Sequence, residues 1–493
     1  MPHSPRRTLP RAPVRIVHLG LGAFHRAHQA WYTAHADPDR EWGIAAFTGR
    51  SPEAATTLTR QDDVYTLLTR GPDGDHLETV ESIVAAHDGG DTEKLRDYLA
   101  RPEVTVVTLT VTEKGYRRGA DGRLDVTDPD IAADICSLAG ALSDHAPSDR
   151  APSDRALADR APSHRAPSHR DDAPGAIENG ILRTMPARLL WALDARRRAL
   201  PEGTITLIPC DNLDDNGSAL RAVLGDLASL TSPALGAWID AQVDVVSTSV
   251  DRITPRTTAD DIDAVAAREG IRDEALVVTE PFHSWILSGR IRADRPRWED
   301  AGASIVNDIE PFERRKLWML NGAHSLLASD GLLRGHDTVA EAIADPECAA
   351  LVHDLWDLAA HRLDAAAHRA GVDLDLPAYR AALLDRFANP AIVHRLRQIA
   401  TDGSLKLRAR IVEPVRRARA DGETGEAGLA AIAAWTRFVI SEVEAGRPLD
   451  DAAADELAAR ATDADPHRAL LDLLAPDLAA DPAVLGMLPD RAC

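Results

Sequence analysis

Short apolar runs rich in Val, Ile, Leu and Thr alternate with longer amphipathic stretches up to about residue 300, and beyond that point the short runs stop. The alternation predicts an α/β unit built on a parallel sheet, followed by a mostly helical unit. The first run, VRIVHL from Val14, breaks at Gly20 and Gly22 and resumes as a helix-like stretch carrying Ala27, Ala30 and Trp31, which reads as strand, tight turn, helix. WGIAAFTG, VTVVTLTVTEKGY, GTITLIPCDN, DAQVDVVSTSVDRI and EALVVTEPF read as further buried strands. From Pro311 to Leu488 the chain is rich in Ala, Leu and Arg at amphipathic spacing and reads as helices. The pattern divides the chain into an α/β segment over 14–300 and a helical segment over 301–493, behind a basic, Pro-containing tail over 1–13 expected to be disordered.

One segment belongs to neither unit. APSDR-APSDR-ALADR-APSHR-APSHR, from Ala146 to Arg170, repeats a five-residue motif with no apolar stripe to bury, so 143–176 is expected to be a disordered insertion. Two histidines there, His164 and His169, lack Cys or acidic partners at ligand spacing and do not suggest a metal site.

The helical segment opens with an unusual run, KLWMLNGAHSLLA, from Lys316 to Ala328. At about 100° per residue, with Lys316 at zero, Glu313 falls near 60°, His324 near 80° and Asn321 near 140°, so the four share one broad face. Burying an unpaired ammonium, amide and imidazole costs several kcal/mol, so their gathering beside Leu317, Trp318, Met319 and Leu320 marks a candidate reaction site. A partly solvated face with its polar groups paired is the plainer alternative.

The turn GLGAFH places Gly20, Gly22, Ala23, Phe24 and His25 between the first strand and its helix, where backbone N–H groups can hold a dinucleotide pyrophosphate. A Rossmann-type reading follows, although His25 stands where the usual fingerprint has a third glycine. After the second strand, FTGRSPE offers Arg50 and Ser51 before any acid, which leaves NAD and NADP both open. Two later strand ends present Asp211 with Asn212, and Asp251 with Arg252, at the edge where doubly wound sheets bind ligands. Asn216-Gly217 reads as a turn.

Composition narrows the function. The chain has 493 residues, an apolar fraction of 44% and a net charge of -22, a balance that repels nucleic acid and anionic membrane. Cys136, Cys210, Cys348 and Cys493 are scattered without a CxxC pair, so no disulfide framework and no zinc site are indicated. No apolar run approaches the length of a membrane span, and a cytoplasmic location is expected.

Taken in order, GLGAFHRAHQA, VTEKGY, CDNLDDNG, VDRITP, TEPF and KLWMLNGAHS resemble the polyol-specific long-chain dehydrogenases, the mannitol dehydrogenase family, from about Val14 to Lys406. The resemblance implies a zinc-independent, NAD-dependent oxidoreductase, NADP not excluded, with its site between a Rossmann-type domain and a helical domain. It implies Lys316 as general acid/base, Asn212 and Asn321 as the carbonyl-polarising pair, and His324 as a substrate-orienting group. Asp251 and Glu313 match acidic positions near the lysine, with Glu313 on a proton path to solvent. Within QIATDGSLKL, Gln398 stands where the mannitol enzymes are expected to carry arginine, and the stretch is more similar to the mannonate oxidoreductase (fructuronate reductase) branch. Lys406 is then the expected anchor for a substrate carboxylate or hydroxyl. Mannitol 2-dehydrogenase is the alternative within the family, and a catalytically silent sugar- or nucleotide-binding protein the alternative outside it. The expected partner is a small sugar, and the expected assembly a monomer or small homo-oligomer.

Overall fold

The first apolar runs pair as their composition predicts. In the computed structural model, which describes residues 3–142 and 182–488, β1 (Val14–Leu19), β2 (Gly43–Phe47), β5 (Ile83–His87), β6 (Val106–Leu109), β7 (Ile205–Pro209) and β8 (Val243–Val245) form one sheet in the order β5-β2-β1-β6-β7-β8. Every pairing in it is parallel, and each of β2, β6 and β7 is buried throughout, which is why these runs are continuously apolar. The chain leaves β1 toward β2 on one side and returns to β6 on the other, which opens a crevice at the carboxyl ends of β1 and β6. Helices cover both faces of this sheet around two separate apolar cores. The pentapeptide tract lies outside the described residues.

Four expectations change. VDVVSTSVD splits at the buried Val246, so that only β8 joins the large sheet. β9 (Ser247–Asp251) instead pairs antiparallel with β11 (Ser284–Ser288), which pairs with β12 (Ser304–Val306). The run LVVT forms β10 (Val277–Thr279) in another three-stranded sheet, beside the hairpin of β3 (Tyr65–Gly71) and β4 (Gly74–Val80). The tail is not loose from residue 3 onward. Arg7 donates to the carbonyls of Glu81 and Ile83 at 2.8 and 2.6 Å, Thr8 N donates to Glu81 Oε1 at 3.0 Å, and Arg11 pairs with Asp63 at 2.7 Å. These anchors are polar, so the hydrophobic pattern does not register them. Asn216-Gly217 opens the helix Asn216–Thr231 and is buried. The Asn216 amide exchanges hydrogen bonds with the backbone of Thr248 at 2.9 and 3.0 Å.

Beyond residue 309 one helix runs from Glu310 to Leu333, but its turn Lys316–Asn321 is a π-helix between the α-helical pieces Glu310–Arg315 and Gly322–Leu333. Gly322 to Gly331 are buried on all sides, packed against Pro346–Ala370, Leu396–Ala400 and Glu426–Glu444 in a third apolar core. Among the described residues no helix is long and apolar enough to cross a membrane.

A buried ion triad ties the helices to the sheets. Arg386, at the end of the helix Leu376–Phe387, holds Asp251 through two bonds of 2.8 and 2.9 Å and Glu280 through two of 3.0 and 2.8 Å. Its side chain is 4% exposed, so losing it leaves two facing carboxylates without a counter-charge. Removing one partner of a buried pair costs about 3–5 kcal/mol, and Arg386→Met is expected to lower unfolding stability by that order. The penalty should shrink in acid. Carboxylates stripped of Arg386 take up protons more readily in the folded than in the unfolded chain, so the stability of the variant falls as pH rises. Urea unfolding at acid and neutral pH measures both effects, and equal stability of variant and wild type at neutral pH contradicts them.

Candidate active site

Lys316 lies at the start of the π turn, and its ammonium reaches across to the α/β unit. It donates to Asn212 Oδ1 at 2.5 Å and to the Val250 carbonyl at 2.7 Å. Asn212 follows β7 and Val250 sits near the end of β9, so two strand ends fix one amine. Around it is a cavity of about 250 Å³, lined by Glu113, Asp211, Asn212, Asp214, Thr248 and Val250 from the α/β unit and by Glu313, Lys316, Asn321 and Arg410 from the helices. The structure therefore brings together Lys316, Asn212, Asn321 and Glu313 around one cavity.

The electrostatics of this cavity pull in opposite directions. Burial lowers the Lys316 ammonium from its ordinary range and the neighbouring Asp251 raises it back, while Arg386 and Arg410 press it down. Asp251 is behind the cavity rather than on its wall, and Arg386 holds it below the usual carboxylate range against the effect of burial. Burial pushes Glu313 up to about 7, helped by the like charges of Asp214, Asp215 and Glu310, although its Oε1 accepts the Asp215 N–H at 3.0 Å. Asp211, held by the Tyr116 hydroxyl, is raised by burial to about 6.

The other expected residues stand elsewhere. His324, one turn beyond Asn321, is 7% exposed and does not line the cavity. Its ring lies 4.9 Å from those of Phe387 and His394, its Nε2 has no partner, and burial keeps it neutral. Lys406 is not on the wall either, because its ammonium is taken up by the carbonyls of Ile399 and Thr401. Gln398 is exposed on the short helix Leu396–Ala400. Arg410 is the lining residue that the motif reading missed. Its distance of four residues from Lys406 was the available signal.

A second cavity, of about 530 Å³, opens at the crevice between β1 and β6. Gly20 and Leu21 border it, with Thr48, Gly49 and Arg50 after β2 and Thr110 after β6. Gly20 has φ +110, and a Cβ there would stand 2.1 Å from the Thr110 carbonyl oxygen, so the turn admits only glycine. The crevice, the glycine turn and the exposed backbone fit a dinucleotide. Gly22, Ala23, Phe24 and His25 do not line it, since the helix after the turn is only Ala23–Ala27 and breaks at His28 before Gln29–Ala36. His25 turns inward instead and stacks on His18 at 3.3 Å. Among the described residues no carboxylate borders this cavity, whereas Arg50, Arg183 and Arg188 do. The metal-capable cluster found among the described residues, His336, Asp345 and Cys348, lines neither cavity; Asp345 already caps Pro346–Ala370, and burial raises the Cys348 thiol to about 12.

A dinucleotide crevice next to a buried lysine and two asparagines defines a nicotinamide-dependent dehydrogenase of alcohols. The comparisons agree. Residues 14–300 match the mannitol dehydrogenase Rossmann domain and residues 308–488 the mannitol dehydrogenase C-terminal domain, so the chain belongs to the mannitol dehydrogenase family. It is 33% identical to the D-mannonate oxidoreductase of Escherichia coli (strain K12), over 89% of this chain and 83% of that protein. It is 36% identical to the D-arabinitol 4-dehydrogenase of Ralstonia nicotianae, over 82% and 78%. The mannitol 2-dehydrogenase of Pseudomonas fluorescens, solved as a ternary complex with NAD and D-mannitol, superposes with a TM-score of 0.70 at 29% identity, covering 98% of this chain and 89% of that one.

Glu313 provides a test of the cavity. Its folded pKa is raised from the ordinary 4.5 to about 7, so the folded chain keeps a proton that the unfolded chain releases between those values. That contribution to stability is present in acid and lost as pH rises through the window. If Glu313 also relays the proton from Lys316, alcohol oxidation gains rate as pH rises through about 7. Glu313→Gln should remove both the rate limb and the stability slope. An unchanged pH–rate profile in the variant takes Glu313 out of the proton path.

Proposed function

We propose that this chain interconverts an open-chain keto-uronate and its aldonate, D-fructuronate and D-mannonate by preference, with NAD as hydride carrier. The observation that carries the reading is the Lys316 ammonium bound to Asn212 Oδ1 across the two units, in a cavity shared with Asn321 and Glu313. Bound NAD supplies the hydride acceptor at the carbinol carbon.

The chain's own residues handle the proton and the charge. Burial lowers the affinity of Lys316 for its proton, so the neutral amine accepts the hydroxyl proton as the carbon is oxidised and returns it in the reverse direction. Two of its three positions are occupied by Asn212 Oδ1 and the Val250 carbonyl, which leaves the third for the substrate oxygen. Because the Asn212 oxygen faces the lysine, its NH₂ group is available to donate to that same substrate oxygen, with Asn321 on the other wall. Glu313, poised near neutrality, passes the proton between Lys316 and solvent. The stretch QIATDGSLKL and the similarity to D-mannonate oxidoreductase support the acid substrate; mannitol and fructose are the competing pair.

Reduction of D-fructuronate, D-tagaturonate and D-fructose, each with NADH and with NADPH, tests the assignment. Highest efficiency is expected with D-fructuronate and NADH, and a clear preference for D-fructose returns the chain to mannitol 2-dehydrogenase chemistry. Lys316→Ala should lower turnover by about 100- to 10,000-fold, with coenzyme affinity nearly intact. Near-normal turnover in that variant overturns the mechanism. Chelators should leave the rate unchanged, since amides and not a metal polarise the oxygen.

A further inference from the structure

Arg410 lines the lysine cavity with no carboxylate paired to it among the described residues. It sits in a second π turn, Arg408–Val412, packed against the first. Its Nη1 donates to the Asn321 carbonyl at 3.4 Å and to Ser325 Oγ at 3.1 Å, which ties the guanidinium to the helix that carries Asn321 and Lys316. Both partners are neutral. Among the described residues, Arg386 has Asp251 and Glu280 and Arg417 has Glu413, while Arg252 and Arg315, which do not line the cavity, lack an acid and donate to backbone carbonyls instead. Arg410 has no acid either, and burial alone lowers it to about 10 with no carboxylate to offset the loss of hydration.

A guanidinium kept half-buried without a counter-charge gains more from an anion than from a neutral acceptor, and its planar fork of donors matches a carboxylate. We propose that Arg410 is the specificity-determining residue of this cavity and receives the carboxylate of the sugar acid. The proposal rests on the reading of the cavity as the active site and moves the anchoring role from Lys406 to Arg410. Lys406 is engaged with two backbone carbonyls, whereas Arg410 keeps donors beyond Nη1 uncommitted on the wall that Lys316 also lines. A carboxylate at one end of the substrate and the reacting carbon at Lys316 then fix the orientation of an open chain between them.

The test compares wild type, Arg410→Met, Arg410→Lys and Lys406→Met by two measurements. The first is the ratio of kcat/KM for D-fructuronate over D-fructose; the second is the Kd of D-mannonate measured by calorimetry in the presence of NADH, which needs no turnover. A charge-assisted hydrogen bond is worth about 1.5–3 kcal/mol, so Arg410→Met should lower the ratio about 10- to 150-fold and weaken D-mannonate by a similar factor. The loss should fall mainly on KM, because the contact is remote from the reacting carbon. Arg410→Lys should keep part of the preference, and Lys406→Met should leave the ratio within about threefold. Equal losses on both ketoses would make Arg410 a structural tie between the two π turns and overturn the proposal. So would an Arg410→Met variant that binds D-mannonate as wild type does. If wild type binds D-mannonate through Arg410 yet reduces neither ketose, the functional reading fails while the carboxylate site stands.

Discussion

The widened turn at Lys316–Asn321 is the constraint on which the rest of the site depends. In an α-helix each carbonyl closes on the amide four residues ahead; in a π turn it closes on the amide five ahead, as the Gly322 N–H does on the Leu317 carbonyl, and the wider turn leaves carbonyls open to further donors. Here the Met319 carbonyl takes the Trp356 indole N–H at 2.9 Å and the Asn321 carbonyl takes Arg410. These side-chain donors add to the backbone bonds of the turn and tie it to the neighbouring helices. Gly322 serves the same contact. A Cβ there would stand 3.3 Å from the Arg410 carbonyl oxygen, and a larger side chain would wedge the two π turns apart.

The end of β9 does for the electrostatics what the π turn does for the geometry. The Val250 carbonyl accepts Lys316, and the next residue, Asp251, accepts Arg386. Two cations from the helical unit therefore land on consecutive residues of one strand from the α/β unit. The amine needs that fixed position, because desolvation lowers its proton affinity while Asp251 raises it, and each effect varies steeply with small displacements in a low dielectric. Arg386 removes part of the Asp251 charge from the lysine and gives the strand end a rigid support.

Much of this was legible in the sequence, for identifiable reasons. Strands buried on both faces appear as continuous apolar runs, so β1, β2, β6 and β7 could be read directly. The β3–β4 hairpin could not, because β4 is an exposed, polar edge strand, GDHLETV. The tail from His3 to Pro13 was misread since arginine-to-carbonyl bonds hold it rather than apolar contacts. Lys316, Asn321 and Glu313 were found by their spacing even though the turn is not α-helical; the same wheel put His324 on the reacting face, and the π turn leaves it off the cavity wall, against Phe387. Asn212 came from a strand end, which is a topological signal. Glu280 lies within TEPF, but its pairing with Arg386 joins residues 106 positions apart, which no local motif signals.

The chain carries a net charge of -22, and four carboxylates, Glu113, Asp211, Asp214 and Glu313, line the cavity beside two cations. A sugar acid would be repelled by that total, yet the Debye length at physiological ionic strength is about 8 Å, so distant surface charge is largely screened at the cavity mouth. Inside, Asp211 near 6 and Glu313 near 7 lose part of their charge as the solution approaches neutrality from above, whereas Arg410, lowered only to about 10, keeps its positive charge on the wall. Recognition of an anion here is then a matter of short-range donors and not of field. That distinction places selectivity on the few side chains whose hydrogen-bonding capacity is still open, and the fold leaves that capacity open at the paired π turns.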